Sequence, residues 1–251
     1  MKTDGHRSEA LPELNYLCPS VFICGECLYS RAPGVHKCQS MIHQRFPPFL
    51  LGVILAAYWG RVLRMAYKAR RRTGRAANLL PGEKVGRINR VIWLPVVIVW
   101  IVQPFLTASS ESLHGLFHPL YYNLWVAWPA VVISIGCLLF SRICWKTMGR
   151  HWRMGIDPAE QNALIASGPF RYVRHPIYAL SMLMMLASMA MLPSPIMLAA
   201  GIVHIGLLNW ESRREECHLL KIHGQAYKQY RSETGGFFPR LRNAARERSF
   251  P

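Results

Sequence analysis

An all-α membrane protein with about five transmembrane helices is the fold this sequence predicts. Three observations predict it. Hydrophobic residues make up 51% of the 251 positions, yet the formal net charge is +17. Lys and Arg fall in blocks between apolar runs, the pattern of a membrane protein whose basic loops stay on the cytoplasmic side. The apolar runs are long, and one of them, 177–210, contains no Asp, Glu, Lys or Arg. In a soluble chain so basic a balance would point to nucleic acid. No basic stretch here carries a recognisable binding motif, so the expected partners are membrane lipids and not nucleic acid.

Each element follows from its run. The first, 47–60, continues past Arg61 to about Ala66, and that Arg can snorkel to the interface. The second, 91–108, carries Pro95 and Pro104. The third, 120–140, has no charged residue and is the cleanest span. The fourth, 177–210, would reach roughly 50 Å as one helix, against a hydrocarbon core of about 30 Å. Pro193-Ser194-Pro195 sits at its middle. It therefore reads as two short helices joined by a tight turn. Each half is shorter than the roughly 20 residues of a comfortable span, so the hairpin either crosses a thinned region or does not cross fully.

Orientation follows from Lys and Arg. The loop between the first two spans holds Arg70, Arg71, Arg72, Arg75, Lys84, Arg87 and Arg90. Arg142, Lys146, Arg150, Arg153, Arg171 and Arg174 follow the third span, and a basic tail follows Trp210. Segments 109–119 and 193–195 contain neither Lys nor Arg. Five spans with the N-terminus outside satisfy every loop. The segment before His175 and the helix after Trp210 then share the cytoplasmic face and can form one site.

Residues 1–46 differ in composition. Cys18, Cys24, Cys27 and Cys38 lie there with His6, His36 and His43. Cys24 and Cys27 form one CxxC, but a zinc site needs a second close pair and Cys38 stands alone. Three readings stay open: a dispensable leader, a real but disordered segment, and a metal or disulfide module. A chain starting at Met41 would still contain every span. The expected organisation is a leader over 1–46, three spans over 47–141, a functional core over 142–241 and a basic tail over 242–251. Cys137 and Cys144 read as packing residues. His204 reads as a satisfied core histidine, with a functional intramembrane role as the other reading.

Two constellations carry chemistry. The first is Ser167 to Tyr178, where a polar loop ends, Arg171 and Arg174 appear, and an apolar run begins. Proline at a first helical position loses no hydrogen bond, so Pro176 starts a helix with His175 just outside. The free N–H groups of that end favour an anion, and Phe170, Tyr172 and Tyr178 suit a cation. A ligand carrying both charges fits; so does an ordinary juxtamembrane loop with interfacial anchors. The second is Glu211, Arg213, Arg214, Glu215 and Glu216, where the last span leaves the membrane. Glu211 and Glu215 share a face, and Glu216 points about 100° away. These carboxylates either pair with neighbouring Arg on the helix surface or hold a cation.

Together the two constellations resemble the isoprenylcysteine carboxyl methyltransferase family, which is related to the phospholipid N-methyltransferases. The resembling residues are Gly168-Pro169-Phe170-Arg171-Tyr172-Val173-Arg174-His175-Pro176-Ile177-Tyr178, then the hairpin, then Arg214-Glu215-Glu216 with Leu219, Gly224, Tyr227 and Tyr230, closing at Phe238-Pro239. Met148-Gly149-Arg150-His151-Trp152-Arg153 also resembles bacterial members, and the likeness covers about 145–241. The resemblance implies an S-adenosylmethionine-dependent methyltransferase, here a multi-pass protein of a bacterial inner membrane with its site facing the cytoplasm. By that likeness the cofactor-binding residues are Asn162, Ala163, Leu164, Ile165, Phe170, His175, Pro176, Ile177, Tyr178 and Glu215. Eukaryotic members have His where Asn162 stands and Tyr where Phe170 stands. Glu216 and Arg214 are the candidates for orienting or activating the acceptor. Those eukaryotic enzymes place an Arg facing the substrate carboxylate where this chain has Glu211, so the expected acceptor is a small lipophilic molecule or lipid headgroup and not a prenylcysteine carboxylate. Two other classes remain. One is an NADPH-dependent, sterol-reductase-like membrane enzyme, and the other is a non-catalytic membrane scaffold.

Overall fold

The structure, a computed structural model, describes residues 33–73, 83–110, 114–153 and 164–240, with side chains described from 44 onward. The chain divides into two units, Met1–Gln39 and Ser40–Pro251, and the candidate site lies wholly in the second. The leader's side chains before residue 44, the expected basic tail 242–251, and the expected cofactor residues Asn162 and Ala163 lie outside the described residues.

Five helices make up the described fold: α1 (Pro33–Thr73), α2 (Lys84–Ser109), α3 (Leu124–Met148), α4 (Pro176–Met191) and α5 (Pro195–Glu233). Among the described residues there is no strand, only an isolated parallel bridge between Val173 and Gly235. Three segments are long and apolar enough to cross a membrane: Gln44–Arg71, Lys84–Ser109 and Leu124–His151. The expected hairpin is present. Its first arm, α4, has 16 residues, roughly 24 Å at 1.5 Å per residue, shorter than the hydrocarbon core. Of the five expected spans, three are long apolar helices and a fourth, α4, is a shorter apolar helix.

Local chemistry sets these boundaries. Asn123 caps α3 by accepting a hydrogen bond from the Trp125 N–H at 2.9 Å. Ser194 caps α5 by accepting from the Met197 N–H at 3.2 Å, with Pro195 in the first turn. The helix then runs past position 210, so the apolar arm and Glu211–Glu216 form one rod, interrupted only at Gly224 (φ 51°). Pro47, Pro48, Pro95, Pro104 and Pro129 sit inside helices. Such prolines are tolerated in membrane helices because neighbouring groups re-satisfy the freed carbonyls.

The outer surface is apolar: Trp125, Val91, Ile202 and Val132 are 89%, 72%, 70% and 65% exposed. A soluble protein would rarely show so much apolar surface, whereas a lipid-facing bundle must. Inside, Leu51, Leu55, Trp100, Met184, Met185, Met191 and Met197 are fully buried. Polar pairs tie the helices across this core. Trp100 Nε1 donates to Ser188 Oγ at 2.8 Å and Gln103 donates to Ser194. Trp93 Nε1 donates to His204 Nδ1 at 2.9 Å, while His204 Nε2 meets Ser181 Oγ at 3.1 Å. His204 is thus the satisfied core histidine of the sequence reading. Interhelical hydrogen bonds of this kind hold membrane helices together where burial alone gives little drive.

Candidate functional site

The site is built where α4 begins and α5 turns acidic. A short 3₁₀ turn, Gly168–Arg171, delivers the chain to His175, which precedes Pro176 at the first turn of α4. Gly168 has φ 57°, a left-handed conformation that favours glycine. No side chain caps this end of α4, so its N–H groups remain available to an anion, as expected from sequence.

A return segment after α5 clamps the motif. Arg174 N donates to Gly235 O at 2.8 Å, His175 N to Gly236 O at 3.0 Å, and Gly235 N to Tyr172 O at 3.2 Å. A Cβ at Gly235 would lie 1.7 Å from the Phe238 carbonyl oxygen, so only glycine allows this approach. Tyr230 OH donates to Phe170 O at 2.6 Å, fixing the turn from the other side.

The two carboxylates of the Glu pair have different surroundings. Arg174 Nε donates to Glu216 Oε1 at 2.8 Å, and His175 Nε2 lies 3.2 Å from the same oxygen. The hydrogen bond with His175, then the contacts with Arg174, hold the Glu216 carboxyl at about 2 against the opposing effect of burial. Glu215 Oε2 lies 3.8 Å from His175 Nδ1. The imidazole is therefore gripped between the pair, and it stacks on Tyr178 with ring centroids 5.6 Å apart. Burial pushes the Tyr230 phenol up to about 12 and raises Tyr227 as well.

Two cavities open around this cluster. The smaller, about 70 Å³, is lined by Leu164, Ile165, Tyr227, Tyr230, Leu219 and the shared residues. The larger, about 100 Å³, is lined by Pro176, Ile177 and Tyr178 and reaches Tyr58 and Trp59 of α1, Asn89, Arg90 and Trp93 of α2, and Trp145 of α3. Each holds several times the roughly 10–15 Å³ that one water needs. Phe170, Arg174, His175 and Glu215 line both cavities. The described cofactor-binding candidates, Leu164, Ile165, Phe170, His175, Pro176, Ile177, Tyr178 and Glu215, thus all face one or both chambers.

Glu216 and Arg214 are placed differently. Neither lines either cavity. Glu216 is engaged with Arg174, His175 and, at 3.5 Å, Arg231. Arg214 Nη1 donates to Glu211 Oε2 at 3.0 Å, its other arm pairs with Glu83, and its guanidinium lies 4.8 Å from the Trp210 ring centroid. Glu211 is the acidic residue that joins Glu215 on the larger cavity. Its shared face with Glu215 was the available signal. Asn89, Arg90 and Trp59 had no local signal, because only the helix packing brings them to the site. Among the described residues no group of three or more His, Cys, Asp and Glu forms a metal-binding cluster.

Fold and site together define a helical membrane protein with buried polar chambers at the junction of α4 and α5. Residues 124–226 match the phospholipid methyltransferase family. Two curated relatives are similar over longer stretches than the matched domain. The cobalt-zinc-cadmium resistance protein CzcN of Cupriavidus metallidurans is 31% identical over 145 residues, 57% of this chain and 63% of that protein. The nickel-cobalt-cadmium resistance protein NccN of Alcaligenes xylosoxydans xylosoxydans is 27% identical over 151 residues, 60% of this chain and 64% of that protein. The chain thus covers less than two thirds of the length of either relative.

Proposed function

We propose that this protein is an S-adenosylmethionine-dependent membrane methyltransferase acting on a small lipophilic or membrane-embedded acceptor. The observation that carries the reading is the convergence of Glu215, His175, Phe170 and the uncapped start of α4 between two chambers. The donor set fits the cofactor. Its amine suits the Glu215 carboxylate, its carboxylate suits the N–H groups at the start of α4, and its sulfonium suits the π faces of Phe170 and Tyr178. The Tyr227 hydroxyl, fully buried in the smaller chamber with no hydrogen-bond partner among the described residues, offers a further polar contact. When bound, the cofactor would supply an electrophilic methyl group.

The chain's own residues then have separable tasks. Glu215 holds charge. Glu216 orients His175 and anchors Arg174, which in turn ties down the carbonyls of Arg231 and Thr234. Arg214 acts on Glu211. The aromatic wall excludes water and places the acceptor, which is how positioning lowers a transfer barrier. Titrating the detergent-purified full chain with S-adenosylmethionine tests the reading, with NADPH as the rival ligand. Binding of NADPH alone would replace it with the reductase reading, and binding of neither would favour a scaffold. The metal-resistance names of the two relatives support a second, compatible reading, in which the methylation serves metal tolerance. Loss of metal tolerance on deleting the protein, rescued by the wild type but not by Glu215→Gln, would support it.

A further inference from the structure

The α1, α2 and α3 residues of the larger cavity carry polarity that cofactor binding does not use. Trp59 and Trp145 are 8% and 4% exposed, and neither indole N–H finds a hydrogen-bond partner among the described residues. Asn89, 7% exposed, donates from Nδ2 to Glu211 Oε2 at 3.2 Å and leaves its Oδ1 without a partner among the described residues. All three line the cavity. Two buried donors and one buried acceptor on one chamber call for a ligand that completes them.

Charge narrows the choice. Glu211 already takes hydrogen bonds from Asn89 and Arg214, and Glu215 is assigned to the cofactor's amine. Arg90, Arg153 and Arg174 line the same cavity. A protonated amine would enter beside three guanidinium groups, which repel it, and a carboxylate acceptor would face Glu211. An uncharged hydroxyl matches the unmet groups one for one, because it accepts twice and donates once. The surroundings are aromatic: Tyr58 and Trp145 lie 5.2 Å apart between ring centroids, and Trp59 and Trp93 lie 5.1 Å apart. Such a wall suits a flat ring.

We propose that the larger cavity takes a lipophilic phenol as methyl acceptor, its hydroxyl held by the indole N–H groups of Trp59 and Trp145 and by Asn89 Oδ1. The proposal rests on the methyltransferase reading and names its substrate class. In the transfer the phenol oxygen gains the methyl group and the hydroxyl proton passes to the Glu211 carboxylate beside Asn89. The sulfur–methyl bond breaks, and its electron pair stays on sulfur as a neutral thioether.

The test is binding of three matched probes to the full chain in detergent: 4-octylphenol, 4-octylbenzylamine and 4-octylbenzoic acid. The phenol should bind tightest. Trp59→Phe and Trp145→Phe keep the ring and remove the donor, and each should weaken phenol binding about 3- to 10-fold. Trp125→Phe, 89% exposed and away from both cavities, should leave phenol binding unchanged. Thermal melts identify any variant that fails to fold. With labelled S-adenosylmethionine the phenol should yield a methyl ether. The proposal is overturned if the amine or the acid binds as tightly as the phenol. It is equally overturned if both Trp→Phe variants bind the phenol normally, or if no ether forms when both ligands bind. Failure of S-adenosylmethionine to bind at all would sink the methyltransferase reading, while the phenol titration would still report on the cavity.

Discussion

Four tryptophans in this bundle sit within a short distance of one another and behave in two ways. Trp93 and Trp100 donate their indole hydrogens to His204 and Ser188 and so tie helices together. Trp59 packs edge-on against both of them, with ring centroids 5.1 and 6.3 Å away, yet its own N–H is unmet among the described residues, as is that of Trp145. The same side chain therefore serves as interhelical glue where its N–H is met and stands as an open donor where it is not. A buried polar group completed within the fold contributes to stability; one left open costs it.

The largest expected effect is all-or-none and concerns which side of the membrane the open donors face. In a Cys-free background, Leu116→Cys, in the segment without Lys or Arg, should react with an impermeant reagent from outside, and Ser167→Cys should not. Reversed labelling would move the cavities to the other face. Next in size is Glu215→Gln, which should weaken S-adenosylmethionine binding by roughly 1.5–3 kcal/mol, the loss of a charged hydrogen-bond partner. An unchanged dissociation constant would remove Glu215 from the cofactor.

His204→Leu attacks the glue. It leaves Trp93 Nε1 without its acceptor and removes the histidine partner of Ser181, and should lower stability by about 1–3 kcal/mol in a thermal or denaturant melt. The Trp59→Phe and Trp145→Phe variants should lose less than His204→Leu, because no hydrogen bond within the described fold is broken and only the difference in ring volume is lost. Equal destabilisation by all three would erase the distinction between glue and open donor. A smaller, pH-dependent effect belongs to Glu216. Its carboxyl is held at about 2, below the ordinary 4.5, so the unfolded chain binds more protons between those values. The stabilisation is complete above about pH 4.5 and is lost as pH falls through about 2. Glu216→Gln should flatten stability over that window, and an unaltered acid profile would show that the pairing with His175 and Arg174 adds nothing to the folded state.

Much of this was legible in the sequence because the signals are local. Uncharged runs locate α2, α3 and the hairpin, Pro193-Ser194-Pro195 locates the turn, and Pro176 fixes the start of α4. The motif from Gly168 to Tyr178 and the Glu pair pointed to residues that the fold does bring together. What stayed hidden depends on packing between distant segments. Nothing near Asn89 in the chain signals that it will meet Glu211, 122 positions away. The different surroundings of Glu215 and Glu216 also follow from which side of α5 meets His175, and helical spacing alone does not decide that. The clamp at Gly235 was invisible for a similar reason: glycine marks permissiveness, and only the nearby Phe238 carbonyl turns it into a requirement.

That clamp also orders events in time. Arg174 is held by Thr234, 60 residues further along the chain. At about 5–20 residues per second, the ribosome needs roughly 3–12 s to supply the second half of the clasp after the first. α1, α2 and α3 are already made by then, while the motif at the head of α4 waits without its closing partner. Closure of the site around His175 is therefore among the last steps of this protein's maturation, and a nascent chain stalled before Gly235 would be an inserted bundle with that site still open.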